Sequence, residues 1–201
     1  MLRPRVARAA LALAAFRSHS TAAKLTALRP LGPIATPQGM LLDDAALAER
    51  VEGKSVALYF GAGWCPACTR FEPSLHLFRE ACEQSGRPVE LMYVSSDGDA
   101  AVQQQRAALL SMAQVEVPDA IAALKERFGV WAGREMPQFG VGRRSGIPAL
   151  VVLTTSGEVR CEACNCAHAR SLFPWHLPLR TCPQPSFFLL TCMRDAGGRV
   201  H

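Results

Sequence analysis

No apolar run in this chain approaches the roughly 18 residues that a membrane-spanning helix needs, so no membrane partner is expected. No acidic residue precedes Asp43. No glycine-rich nucleotide fingerprint is present, so electrons are not expected directly from a nicotinamide or a flavin. There is no internal repeat and no stripe of basic and aromatic residues, so no nucleic-acid partner is expected. The net charge of +5 does not argue otherwise. Six of the 22 basic residues, Arg3, Arg5, Arg8, Arg17, Lys24 and Arg29, stand before Asp43, which leaves 16 against 17 acidic residues.

What is present fits one domain with extensions: 201 residues, 49% of them hydrophobic. The start, "MLRPRVARAALALAAFRSHSTAAKL", is rich in Arg and Ala and reads as an organelle transit peptide. Residues 6–16 can form a helix with arginines beside an apolar face. Mitochondrion is the expected location, though plastid presequences share this composition. One rival is a secretory signal with residues 9–16 as its apolar region, which Arg17 weakens; a plain disordered tail is the other. Residues 25–40, "LTALRPLGPIATPQGM", read as a Pro/Gly-rich linker. The expected organisation is transit peptide and linker over 1–40, the folded domain over 41–175, and an irregular tail over 176–201.

Within the domain, helical and strand patterns alternate. The runs 55–60, 89–96 and 149–155 are short, apolar and β-rich, which predicts buried strands. Helices are predicted over 68–85, 99–112 and 119–130, with Pro73 inside the first as a kink, Asp97 or Asp99 capping the second and Asp119 the third, and Gly129 stopping it. Phe71, Leu75, Phe78 and Cys82 share one helical face, which makes Cys82 a packed small hydrophobe. "SG" at 156–157 predicts a hairpin turn into "EVRC". This order implies an α/β fold, a central mixed sheet flanked by helices.

The chemistry centres on "GWCPAC". Cys65 and Cys68 lie between a strand end and a helix start, and a C-x-x-C in that context points to redox thiols rather than zinc. Unpaired N–H groups and the positive end of the helix dipole stabilise a thiolate at Cys65, and the thiolate is the attacking species in disulfide exchange. Cys68, one turn further in, can attack the mixed disulfide and release the reduced partner. Pro66 stiffens the turn and Trp64 can cover the site. A second landmark is "SGIPALVVL". A proline just before a buried strand fits a cis Ile147–Pro148 bond lying against the Cys loop, whose backbone can pair with a substrate peptide as an added strand. An ordinary strand-starting proline is the alternative.

With "YFGAGWCPACTRFEPSL", "VSSDGD", "GIPAL" and "FPW" (173–175), the chain resembles the thioredoxin superfamily, and more narrowly its tryparedoxin and nucleoredoxin branch, over about residues 40–175. The resemblance implies Cys65 as nucleophile, Cys68 as resolving thiol and Pro148 as the cis-proline. The expected activity is reduction of disulfides in partner proteins, with electrons from an upstream thiol donor and no cofactor beyond a Cys65–Cys68 disulfide. The chain departs from the family pattern at Ala67, at "MAQVEVPD" (112–119) and in the long, Gly-rich "WAGREMPQFGVGRRSG" (131–146). That last segment is expected to form a loop beside the active site, where Arg143 and Arg144 either grip an acidic partner or are merely solvated. No buried acid is evident in "SVALYF", so proton transfer would rely on water or on Glu72. Downstream, Cys161, Cys164, Cys166 and His168 form C-x-x-C-x-C-x-H, which reads first as incidental thiols and less strongly as a zinc site or as extra redox or resolving thiols. Prolines 174, 178, 183 and 185 oppose a terminal helix. Two other functions stay open: a non-catalytic redox-sensing binding module of the same fold, and a zinc protein centred on 161–168.

Overall fold

A computed structural model describes residues 28–153 and the backbone of 159–164. The expected transit peptide, the 156–157 turn, Cys166, His168 and the tail from 176 lie outside the described residues. Among the described residues the strands are β1 (Ile34–Ala35), β2 (Ser55–Gly61), β3 (Val89–Ser95), β4 (Ala113–Val115), β5 (Ala149–Leu153) and β6 (Val159–Cys164). The helices are α1 (Asp44–Val51), α2 (Pro66–Gln84), α3 (Ala100–Leu110), α4 (Pro118–Phe128) and the short α5 (Met136–Phe139). One mixed sheet runs in the order β1-β4-β3-β2-β5-β6. Strands β2, β3 and β4 are parallel neighbours, while β5 runs antiparallel to β2 and β6 to β5.

The period-two alternation of β2 builds two cores. Val56, Leu58 and Phe60 face one side, with Leu124 and Phe128 of α4. Ala57 and Tyr59 face the other, with Leu75 and Phe78 of α2 and Leu110 of α3. Each large side chain buried this way contributes about 1.5–3 kcal/mol. Cys82 belongs to the second core, 1% exposed, as its place on the apolar face of α2 predicts.

The helix ends are set by local chemistry. Asp99, not Asp97, caps α3 by accepting from the backbone N–H groups of Ala101 and Val102. Asp119 is not the cap of α4: Pro118 takes the first helical position, where no donor is needed, and Val117 precedes it. Gly129 ends α4 in the left-handed region, φ 66°, as Gly at that position should.

The linker expected over 25–40 is corrected for its described part. Leu28, Leu31, Ile34 and Ala35 are buried, Arg29–Leu31 form a 3-10 turn, and Ile34 pairs with Val115 to make β1 the sheet edge. The folded unit therefore begins by residue 28 rather than 41. Pro and Gly serve turns here rather than a tether. Gly32 has φ 71°, and a Cβ on it would stand 2.7 Å from the Ala120 Cβ on α4. Gly32→Ala is expected to cost about 2 kcal/mol, through backbone strain plus overpacking. A urea midpoint unmoved by the substitution would mean that residues 28–36 lie outside the cooperative unit.

Candidate active site

The site grows from the carboxyl end of β2. The loop 62–64 delivers Cys65 to the N-cap of α2, with Pro66 at the first helical position. The Cys65 Sγ accepts from the Cys68 backbone N–H at 3.3 Å, one of the donors a helix start leaves unpaired. Cys65 is 7% exposed and Cys68 fully buried; both are free thiols. Burial, then the hydrogen bond with Cys65, pushes the Cys68 thiol well above its usual range. The Ile147–Pro148 bond is cis. Ala149 pairs with Phe60, so the ladder sets Pro148 beside the end of β2, and Ile147 shares a buried cluster with Cys65 and Ala62.

The loop itself is braced from β3. Asp97 accepts from the Gly63 N–H at 3.0 Å and from the Tyr93 and Ser95 hydroxyls at 2.8 and 3.1 Å. The indole of Trp64 donates to the Ser96 carbonyl at 3.1 Å and is 41% exposed. The guanidinium of Arg134 stacks 3.5 Å from the centre of the Trp64 ring and donates to the same carbonyl at 3.2 Å.

Beneath Cys68 lies a buried polar cluster. The Tyr59 hydroxyl donates to Glu72 Oε1 at 3.2 Å and also interacts with the Cys68 thiol. Arg106 on α3 grips both Glu72 carboxylate oxygens, Nε to Oε1 at 3.2 Å and Nη2 to Oε2. Gly61 is open because this hydroxyl needs the space: a Cβ there would stand 2.6 Å from the Tyr59 oxygen.

The structure brings Cys65, Cys68, Trp64, Pro66, Ile147 and Pro148 to one end of the sheet. Glu72, named as a proton carrier, is buried next to Cys68 through Tyr59. Segment 131–146 is not pure loop: Gly133–Glu135 form a 3-10 turn, followed by α5. Cys161 and Cys164 fall in β6, opposite Val152 and Ala149 along the ladder. Among the described residues no cluster of His, Cys, Asp and Glu could hold a metal. Sequence reading missed Arg134, Ser96 and the Tyr59–Arg106 link. Only the unusual length of 131–146 hinted at the first.

Buried acids give the site a pH signature. Burial pushes up the hydroxyls of Tyr59 and Tyr93 and the thiol of Cys68, and takes the Cys82 thiol to about 11. In the unfolded chain thiols ionise near 8.5 and tyrosines near 10. A raised folded pKa adds stability that is complete below the unfolded pKa and is lost as pH rises through the folded one. Lys125, its ammonium lowered by burial, works in the opposite sense, against the two thiols below about pH 10 and against the two tyrosines as well above it. The reduced protein should therefore lose stability from about pH 9 upward, by about 1.4 kcal/mol per pH unit for each fully engaged group. Urea midpoints at pH 8, 9 and 10 test this; equal midpoints would refute it.

Comparison with known proteins accords with this geometry. The model of a family described as thioredoxin-like matches residues 53–159. Bovine nucleoredoxin is 30% identical over 150 residues, covering 72% of this chain and 31% of that protein. Probable nucleoredoxin 2 of Oryza sativa is 30% identical over 132 residues, covering 65% of this chain and 29% of its own length. The chain thus spans less than a third of these relatives. Among solved structures, tryparedoxin II of C. fasciculata superposes with a TM-score of 0.52 at 23% identity, covering 68% of this chain and 82% of that one. That likeness is one of fold.

Proposed function

Since this chain belongs to the thioredoxin-like family and is similar to nucleoredoxins, we propose that it is a thiol-disulfide oxidoreductase that reduces disulfides in partner proteins. The observation that carries this reading is the placement of the two thiols: Cys65 at the mouth of α2, its sulfur facing a helix N–H, and Cys68 one turn inside, wholly buried.

The Cys65 thiolate attacks one sulfur of the substrate disulfide. A Cys65–substrate disulfide forms, the substrate S–S bond breaks, and the departing thiolate takes up a proton. Cys68 then attacks the Cys65 sulfur. The Cys65–Cys68 bond forms, the second substrate thiolate leaves, and the substrate has gained two electrons that the protein has lost. An upstream dithiol donor restores the pair. Cys68 must shed its proton for the second step although burial holds it on. The Tyr59 hydroxyl, bonded to Glu72 and favouring the Cys68 thiolate, assists that loss, and Glu72 is the base that holds the proton before it passes to the departing thiolate. The cis Ile147–Pro148 turn offers backbone for the substrate peptide beside Cys65.

The test is reduction of insulin disulfides by dithiothreitol. Wild type is expected to hasten the turbidity of precipitating B chain, and Cys65→Ser is not. A folded wild type that leaves the reaction at its background rate, yet still binds partner proteins, would leave the redox-sensing binding module as the better account.

A further inference from the structure

Segment 131–146 carries Arg134, Arg143 and Arg144 and a single acid, Glu135. That acid is spent internally. Its carboxylate accepts from Lys125 Nζ at 2.5 Å, from the Ser96 hydroxyl at 2.9 Å and from the Ala132 N–H at 2.7 Å. The bonds fasten the 3-10 turn to α4 and to the end of β3, and they leave the segment's outward charge positive.

Arg134 is exposed yet held. One face of its guanidinium lies on Trp64, the residue before Cys65, and one N–H is pledged to the Ser96 carbonyl. A guanidinium has five N–H donors, so its outer edge keeps a fork for a carboxylate. Arg143 stands on the other flank. It donates to the Trp131 carbonyl at 3.3 Å, and its Nη1 lies 3.5 Å from where a Cβ on Gly146 would stand, one residue ahead of Ile147–Pro148. One cation therefore sits on the tryptophan side of Cys65 and one on the cis-proline side. A side chain already fixed by stacking loses less freedom when it binds.

We propose that Arg134, seconded by Arg143, reads a carboxylate next to the substrate's disulfide, so that this chain prefers polypeptide disulfides flanked by Asp or Glu. The proposal rests on the reductase reading above. It assigns segment 131–146 the task of choosing substrates while the cysteines do the exchange.

The test uses the full chain and two disulfide peptides that differ only in Glu against Gln beside the cysteine. Wild type is expected to show kcat/KM about tenfold higher for the Glu peptide at low salt, the scale of one charge-assisted pair. The preference should shrink as ionic strength rises. Arg134→Gln should bring the ratio near one, Arg134→Lys should leave it intermediate because charge remains without the fork, and Arg143→Gln should lower it in part. Circular dichroism melts verify the fold of each variant. If Arg134→Gln does not fold, the salt dependence and Arg143→Gln decide. A wild-type ratio of one with both peptides reduced overturns this proposal alone, as does a ratio that survives when Arg134→Gln and Arg143→Gln are combined. Reduction of neither peptide by folded wild type overturns the reductase reading and this proposal with it.

Discussion

Cys68→Ser is expected to stop turnover while leaving the first attack intact. Cys65 still meets the substrate disulfide at the mouth of α2, but no second thiol stands one turn inside to release it. The mixed disulfide accumulates, and multiple-turnover reduction falls by at least about a hundredfold. Serine replaces a fully buried thiol with a hydroxyl of similar size, so the fold should hold. Intact-mass spectrometry after mixing with a disulfide peptide should show the chain plus one half of that peptide, lost again on treatment with dithiothreitol. If Cys68→Ser turns over like wild type, Cys68 is not the resolving thiol. If no adduct forms with either peptide half, Cys65 is not the nucleophile.

Glu72→Leu is expected to be among the most damaging single substitutions outside the cysteines. Glu72 lies at 9% side-chain exposure and Arg106 at 14%, with the guanidinium on both carboxylate oxygens. Removing the acid leaves a nearly buried cation unpaired and takes the acceptor from the Tyr59 hydroxyl. Breaking a buried pair from one side costs about 3–5 kcal/mol, with partial escape of Arg106 to water pulling toward the lower end. Roughly 3–4 kcal/mol, or about 10 °C in melting temperature, is the expected loss. The double variant Glu72→Leu with Arg106→Leu should recover much of it, because the stranded charge is gone. A double-mutant cycle from urea melts measures the coupling; additive losses would show that the pair does not act as a unit. Resolution of the mixed disulfide should also slow in Glu72→Gln, where shape is kept and the proton acceptor is lost.

Much of the fold was legible because its central strands are long, apolar and bounded by turn residues. The runs that became β2, β3 and β5 could be read directly, and "GWCPAC" fixed where β2 must give way to a helix. β1 and β4 were not legible. They have two and three residues, too few for a period to emerge, and β1 sits among prolines and glycines that look like a tether. Its place in the sheet comes from tertiary fit, Gly32 against Ala120 and Ile34 against Val115, which no local pattern carries. The site divides the same way. Cys65, Cys68 and Pro148 are marked by spacing and by an odd proline. Arg134 against Trp64 and Arg106 against Glu72 join residues far apart in sequence, and each arginine read locally is an ordinary surface charge.

The position of β2 has a consequence for the order in which the chain can assemble. It is the strand that leads into the cysteines, and it lies inside the sheet between β3 and β5. Its first neighbour follows soon after, but Val56 pairs with Leu153 and Phe60 with Ala149. A chain emerging from the ribosome must therefore carry Cys65 and Cys68 on a half-built sheet until residues 149–153 appear. During that interval the edge of β2 is bare and the cysteine thiols lack the Ile147–Pro148 wall. Such an edge invites pairing with other chains, and the thiols are open to premature oxidation. Nascent chains halted before residue 149 should be the form most in need of a chaperone and a reducing milieu.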